Sequence, residues 1–318
     1  MKKRVLSVIL TAVLATAMLT ACGSGEKVYN VGVCQLVEHP ALDAATNGFK
    51  DALTEKLGEG NVKFDIQNAQ GEQNIAATIC NGFVSSNCDL ILANATSPLQ
   101  AAASATSTIP VLGTSVTDYQ SALELADWDG TTGRNISGTS DLAPIEEQEA
   151  MLKELFPDAK KVGLLFCTAE SNSAFQIGKF KAALDNDGIA YVEYGIADSN
   201  EIQSVVTAAC QECDVLYVPT DNTLANNTES IKSIVIPAGI PVITGEEGMC
   251  KGCGVATLSI DYYQLGRATG EMAYEILVNK ADITKMEVKY SPEVTKKYNA
   301  EICSQLGINV PEGYEVIE

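Results

Sequence analysis

Few side chains in this 318-residue chain could do covalent chemistry, and they are unevenly spread. The only histidine, His39, sits between Glu38 and Pro40 in QLVEHPALDAATNGF. An imidazole beside a carboxylate suits general-base catalysis or metal binding. Catalysis would also need a nucleophile, and the sequence has no Gly-x-Ser-x-Gly elbow, no Gly-Lys-Ser/Thr phosphate loop and no His-Glu-x-x-His helix. Cys34 lies close by but within an apolar run that reads as a buried strand. The ten cysteines include two Cys-x-x-Cys pairs, Cys210/Cys213 and Cys250/Cys253, at the spacing of a four-thiolate zinc site. The first pair ends a helix that leads into a strand and the second follows a strand's far end. A layer's thickness should part them, so no metal is expected. Free thiols are the expectation throughout, with a local Cys250–Cys253 bridge as the alternative. No catalytic residue and no cofactor is expected, and the chain reads as a non-enzyme.

The elements that would position the remaining polar groups follow from periodicity. VYNVGVCQLV (28–37) reads as a buried strand, and LDAATNGFKDALTEKLG (42–58) as a helix with Leu42, Ala45, Phe49, Ala52 and Leu53 on one face. Alternation of this kind continues to residue 116 and implies a parallel sheet covered on both sides. The pattern then restarts at VGLLFC (162–167). CDLILANATS (88–97) is echoed by CDVLYVPTDN (213–222), and IPVLGTS (109–115) by IPVITGE (240–246). The duplication predicts an α/β fold of two doubly wound parallel-sheet lobes. The expected lobes are 28–138 plus 250–281 and 139–249 plus 282–318. Strand GVATLSID and the helix after it are assigned to the first lobe. Three hinge segments are expected near 137–144, 246–255 and 281–292.

Ligands of doubly wound sheets gather at the carboxyl ends of the strands, here on a cleft between the lobes. Aligning the two halves sets Thr96 against Asp221 and Ser97 against Asn222. Hydroxyls at a helix start suit a carboxylate, whereas Asp221 and Glu246 suit an ammonium. A free amino acid presents both. Gln35, Glu38, His39, Thr117, Asp118, Asn172, Ser173, Asp261 and Tyr262 complete the candidate set at neighbouring strand ends. Several are also favoured helix N-caps, and capping alone stays open for each. For Gln35, Glu38 and His39, ligand contact, contact across the lobes and capping are all open. His39 carries no catalytic expectation, for want of partners.

The N-terminus carries a separate message. Lys2, Lys3 and Arg4 precede an apolar stretch ending Leu-Thr-Ala-Cys at Cys22, the pattern of an export signal with a lipobox. Residues 1–21 are expected to be removed and 22–27 to form a lipidated tether. The mature chain would then sit outside the cytoplasm, anchored to the cell membrane through Cys22. Taking those three from 21 basic residues leaves 18 against 41 acidic, a net charge of −23. Such a chain repels nucleic acid, which is excluded as a partner.

QLVEHPALDAATNGF, NAQGE, DLILANATSPLQAA, IPVLGTSVTD, NISGTSD, ESNS, VPTDN and SIDYYQLGRATG occur in this order. Together they resemble the lipoprotein substrate-binding components of ABC importers of the tryptophan/tyrosine-type group, over nearly all of residues 28–311. The resemblance implies a periplasmic-binding-protein type I fold and a monomer that closes on one small-molecule ligand and docks to an ABC permease. For several members of the group that ligand is an aromatic amino acid. Tyr119 departs from a position commonly proline in the family, and ELADWDGTTGR (124–134) and the loop around Met249–Cys253 are unusual. Tyr119, Phe175, Tyr262 and Tyr263 could line a ring pocket or pack in the core. A surface adhesin, a sensory receptor, or a sugar or nucleoside carrier on the same fold are the alternatives.

Overall fold

Runs of apolar residues alternating with helix-period segments do form the strands and covering helices of two sheets in the computed structural model, which describes residues 27–291 and 294–317. The signal segment and Cys22 lie outside the described residues. The first lobe is built from β1 (Tyr29–Gln35), α1 (Pro40–Leu57), β2 (Val62–Asn68), α2 (Gln73–Ser85), β3 (Leu90–Asn94), α3 (Thr96–Ala105), β4 (Val111–Val116), α4 (Tyr119–Ala122) and β5 (Ile136–Ser140). Its strands are all parallel. Burial is complete in β3, β4 and β5, as a sheet covered on both faces demands, while the edge strand β2 has no buried residue.

The chain then enters the second lobe: α5 (Ile145–Leu155), β6 (Lys161–Cys167), α6 (Ser171–Asp187), β7 (Ala190–Ile196), α7 (Ile202–Glu212), β8 (Val215–Val218), α8 (Asn222–Ala225), α9 (Thr228–Ala238), β9 (Val242–Thr244), α10 (Glu247–Cys253) and β10 (Ala256–Ser259). It returns for α11 (Tyr262–Leu277) and β11 (Lys289–Tyr290), then crosses back for β12 (Thr295–Tyr298), α12 (Ala300–Leu306) and β13 (Glu315–Val316). The strand orders are β11-β5-β4-β3-β1-β2 and β13-β12-β10-β9-β8-β6-β7. Only β12 runs antiparallel to its neighbour β10.

The lobe boundaries differ from the sequence expectation in one informative place. The strand of 254–261 was expected in the first lobe with its helix, yet β10 pairs with β9 and β12 in the second sheet. Only α11 returns. The middle crossing is therefore at Ile260–Asp261, not at 246–255. The first sheet also extends to Ser140, past the expected limit of 138, and regains Lys289–Tyr290. The cause is local. The short α10 delivers β10 beside β9, while α11 is drawn away by α1.

That helix pair is held by close backbone approach. A Cβ on Gly48 would stand 2.0 Å from the Tyr263 carbonyl oxygen, and one on Gly266 would stand 2.0 Å from that of Ala45. Glycine at both positions lets the axes approach. The pair then covers one face of the first sheet with Phe49, Leu53, Met272, Ala273 and Ile276. Burying each such side chain contributes about 1.5–3 kcal/mol.

Candidate functional site

The lobes face one another through their strands' carboxyl ends, and the two rims differ in how their polar groups are satisfied. Among the described residues, seven buried side-chain N or O atoms have no hydrogen-bond partner. Five sit just beyond or at the carboxyl ends of β1, β3, β4 and β5: His39 Nδ1, Asn94 Oδ1, Ser97 Oγ, Ser115 Oγ and Asp141 Oδ1. Buried polar atoms are paired as a rule, and of these five only Ser97 Oγ belongs to a residue that lines the cavity between the lobes. The backbone here is strained as well. Ser115 has φ 54° at a register shift in β4, and Ala95, just before α3, has φ 101°. Non-glycine residues hold such angles at a cost of about 1–3 kcal/mol, typically at ligand sites. No side chain caps α3, so the N–H groups of its first turn are left without a side-chain acceptor.

The second rim is knitted to itself. Glu170, ahead of α6, accepts at Oε2 from Asn222 N (3.0 Å), Asn222 Nδ2 (2.7 Å) and Asn172 Nδ2 (3.1 Å), and at Oε1 from Thr223 N and Oγ1 (both 2.8 Å). None of these donors is charged. Asp221 accepts from Leu224 N (2.9 Å), Cys167 N (2.7 Å) and Ser173 Oγ (2.8 Å). Gln176 Nε2 donates to the Thr220 carbonyl at 3.2 Å.

Between the rims lies a cavity of about 490 Å³. Thr96, Ser97 and Gln100 line it from the first lobe, and Glu170, Asn172, Asp198 and Asn222 from the second. Leu36, Val37, Cys167, Ala169 and Ala197 supply its apolar surface. Its lining holds three carboxylates (Glu72, Glu170 and Asp198) and, among the described residues, no lysine, arginine or aromatic side chain. The lobes touch beside it, where His39 Nε2 stands 3.2 Å from Asn222 Oδ1.

Of the candidates from sequence, Thr96, Ser97, Asn172 and Asn222 reach this cavity, and His39 reaches its edge through Asn222. Others are placed differently. Gln35 spends its side chain inside the first lobe, on the Val37 carbonyl, Asp43 Oδ1 and Thr46 Oγ1. Together with exposed Glu38 it borders an outer groove beside Asp43, Lys50 and Gln67. Asp221 and Ser173 are buried beneath the second rim, because Asp221 caps α8. Asp118 caps α4, and buried Thr117 offers its carbonyl to Ser140 Oγ at 2.8 Å. Glu246 and Asp261 cap α10 and α11, and with Tyr262 they border a second cavity of about 530 Å³ on the hinge side. Tyr262 Oη donates to Asp141 Oδ2 at 2.9 Å.

The proposed ring pocket is not assembled. Tyr119 is buried over Gly113 and Gly138, where any Cβ would strike its hydroxyl end, and it donates to the Thr139 carbonyl. Tyr263 lies outside, on Asp51. Sequence reasoning missed Glu170, Asp141, Ser115 and Asn94. Among the described residues all nine cysteines are free thiols and no three His, Cys, Asp or Glu side chains stand together as a metal would require.

Burial shifts the titration of several of these groups. It lowers His39, against the opposing pull of Asn222, Glu170 and Asp43. It raises Asp221, helped by the charge of Glu170, and it raises Asp141. Glu246 is pushed up to about 7.

Comparison with known proteins agrees with this geometry. The ABC transporter substrate binding protein family matches residues 30–316. A tyrosine-binding protein of Clostridioides difficile (strain R20291) is 37% identical over 295 residues, 88% of this chain and 85% of that protein. The structure of an ABC domain in complex with L-Trp from Streptococcus pneumoniae is 32% identical and covers 92% of this chain and 100% of that one, with a TM-score of 0.87. The ligand-free, open structure of a Clostridium difficile substrate-binding protein with adhesive properties is 38% identical and covers 92% and 99%. Its TM-score is only 0.70, so the lobes here stand closer to the arrangement of the L-Trp complex. A matched family spanning nearly the whole chain, two like lobes and a cleft with an unsatisfied polar rim converge: the chain belongs to the substrate-binding proteins of ABC transporters.

Proposed function

We propose that this protein captures a free amino acid with an aromatic side chain and hands it to an ABC permease. The observation that carries the reading is the opposition across the cleft. The uncapped N-terminus of α3, with Thr96 and the unpaired Ser97 hydroxyl, faces Glu170, a carboxylate bonded only to uncharged donors. The first would hold the ligand carboxylate through N–H and O–H groups, the second its ammonium. With three carboxylates and no basic residue in the lining, a purely anionic solute is disfavoured. The aromatic class rests on the tyrosine-binding and L-Trp-bound relatives. A ring would lie on Leu36, Val37, Cys167 and Ala169.

In this reading the protein works as a monomer outside the cytoplasm, tethered by lipid on Cys22, and turns nothing over. Ligand contacts made by both rims favour the closed form over the open one. Isothermal titration of residues 28–318 against the amino acids, a sugar panel and nucleosides tests the ligand class. Heat with tyrosine, phenylalanine or tryptophan is expected. Heat with a sugar or nucleoside alone refutes it. Adhesion is a second reading, favoured by the adhesive properties of the C. difficile relative. Attachment of the purified chain to host cells, with and without bound amino acid, addresses it.

A further inference from the structure

His39 joins the lobes in a way that fixes its own protonation. Its Nε2 meets Asn222 Oδ1, and the direction of that bond is set from the far side of the same amide. Asn222 Nδ2 donates to Glu170 Oε2, and an ionised carboxylate can only accept. The amide oxygen therefore faces the imidazole, and Nε2 must carry the proton. Nδ1 of the neutral ring is then a bare acceptor, and it is buried without a partner.

The surroundings bear on a second proton at Nδ1 in opposing senses. His39 is the N-cap residue of the 18-residue α1, where the positive end of the helix dipole opposes an added cation. Burial opposes it too. Glu170, bonded to Asn222, and Asp43 on the ring's own segment favour it; Glu38 beside the ring, Asp221 next to Asn222, and Glu246 and Glu247 at the start of α10, which packs on Pro40, are the other acidic groups around it. Lys251 borders the same hinge-side cavity as Pro40. Burial outweighs the rest, and the ring in the closed arrangement holds its proton less tightly than a free imidazole.

We propose that His39 is a proton-sensitive latch on lobe closure: in the closed form its Nε2–H bonds Asn222 across the cleft, and a proton at Nδ1, which leaves that bond in place but buries a cation with no partner, favours the open form. The proposal rests on the reading that the cleft closes over a ligand. Acidification then drives opening, because the open lobe returns the ring to its ordinary affinity for protons. With an ordinary value of 6.5 in the open form and a lower one in the closed form, closure weakens as the pH falls from 7.5 to 5.5, by at most about tenfold. The raised carboxylates Asp141, Asp221 and Glu246 act in the opposite sense, so the latch is read as a difference between proteins.

His39→Gln keeps a donor toward Asn222 and cannot titrate. The ratio of wild-type Kd to that of His39→Gln, measured with L-tyrosine, should rise from pH 7.5 to 5.5, by at most about tenfold. A constant ratio overturns the latch. A second measurement needs no folded variant at residue 39. The chain has a single histidine, so untagged protein gives one imidazole signal by NMR. Its midpoint should fall when L-tyrosine binds, and nitrogen shifts should report the Nε2–H tautomer. An unmoved midpoint or an Nδ1–H ring overturns the proposal. Should no amino acid bind, the ligand class proposed above fails, and the latch is judged on ligand-free protein. There a midpoint lower in wild type than in Asn222→Ala supports it, and an equal or higher one overturns it.

Discussion

The two lobes share a topology and treat their polar residues in opposite ways. Asp221, at the end of β8, accepts three hydrogen bonds from its own lobe, and Glu170, beyond the end of β6, accepts five. At the equivalent end of β3, α3 starts without a side-chain cap, and Ser97 and Asn94 each keep an unpaired buried atom. The second rim satisfies itself, although Glu149 and Thr257 elsewhere in that lobe keep an unpaired atom each. The other carries unsatisfied donors and acceptors, and a buried polar atom without a partner costs about 1–3 kcal/mol. Of these atoms the Ser97 hydroxyl alone lines the cavity, so it is the one that a molecule in the cleft can pair.

Substitutions on the two rims should break differently. The largest effect is expected from Asp221→Ala, which strands three donors beneath the second rim. A loss of about 3 kcal/mol in chemical denaturation is expected, with binding lost alongside. A stable variant would mean that the second rim is not self-supporting. Next comes Glu170→Ala, which removes the carboxylate facing the cavity. Amino acid affinity should drop about 100-fold, near 2–3 kcal/mol by calorimetry, with a smaller loss of stability because the site is only partly buried. Smallest is Ser97→Ala. It deletes an unpaired hydroxyl, so affinity should fall about tenfold while thermal stability stays level or rises slightly. A loss of stability there as large as that of Asp221→Ala would erase the distinction between the lobes.

Much of this was legible beforehand. Strand–helix alternation and the echo of IPVLGTS in IPVITGE predicted two like lobes, because a buried parallel strand must be a short apolar run. Thr96, Ser97, Asn172 and Asn222 were legible as cleft residues from their place at strand ends. The duplication misled at Asp221. Its alignment with Thr96 is sound along the strand, yet α8 begins one residue later than α3 in that alignment. That shift turns Asp221 into a cap and leaves the facing carboxylate to Glu170. Glutamate is not a favoured cap, so nothing local announced it. Gln35 misled in a similar way, since Asp43 and Thr46 on the next helix turn its amide inward.

The sequence by itself determined two like lobes of alternating strands and helices and the strand ends that face the cleft, because these follow from periodicity and chain direction. It also determined that one histidine would stand at the first strand-to-helix junction. Which polar atoms are paired was decided only in three dimensions, since satisfaction is an account kept over every neighbour of a buried group, however distant in the chain. The same holds for β10, kept in the second sheet while its helix left for a glycine-lined face on α1. And it holds for His39, whose proton is placed by an amide 183 residues away.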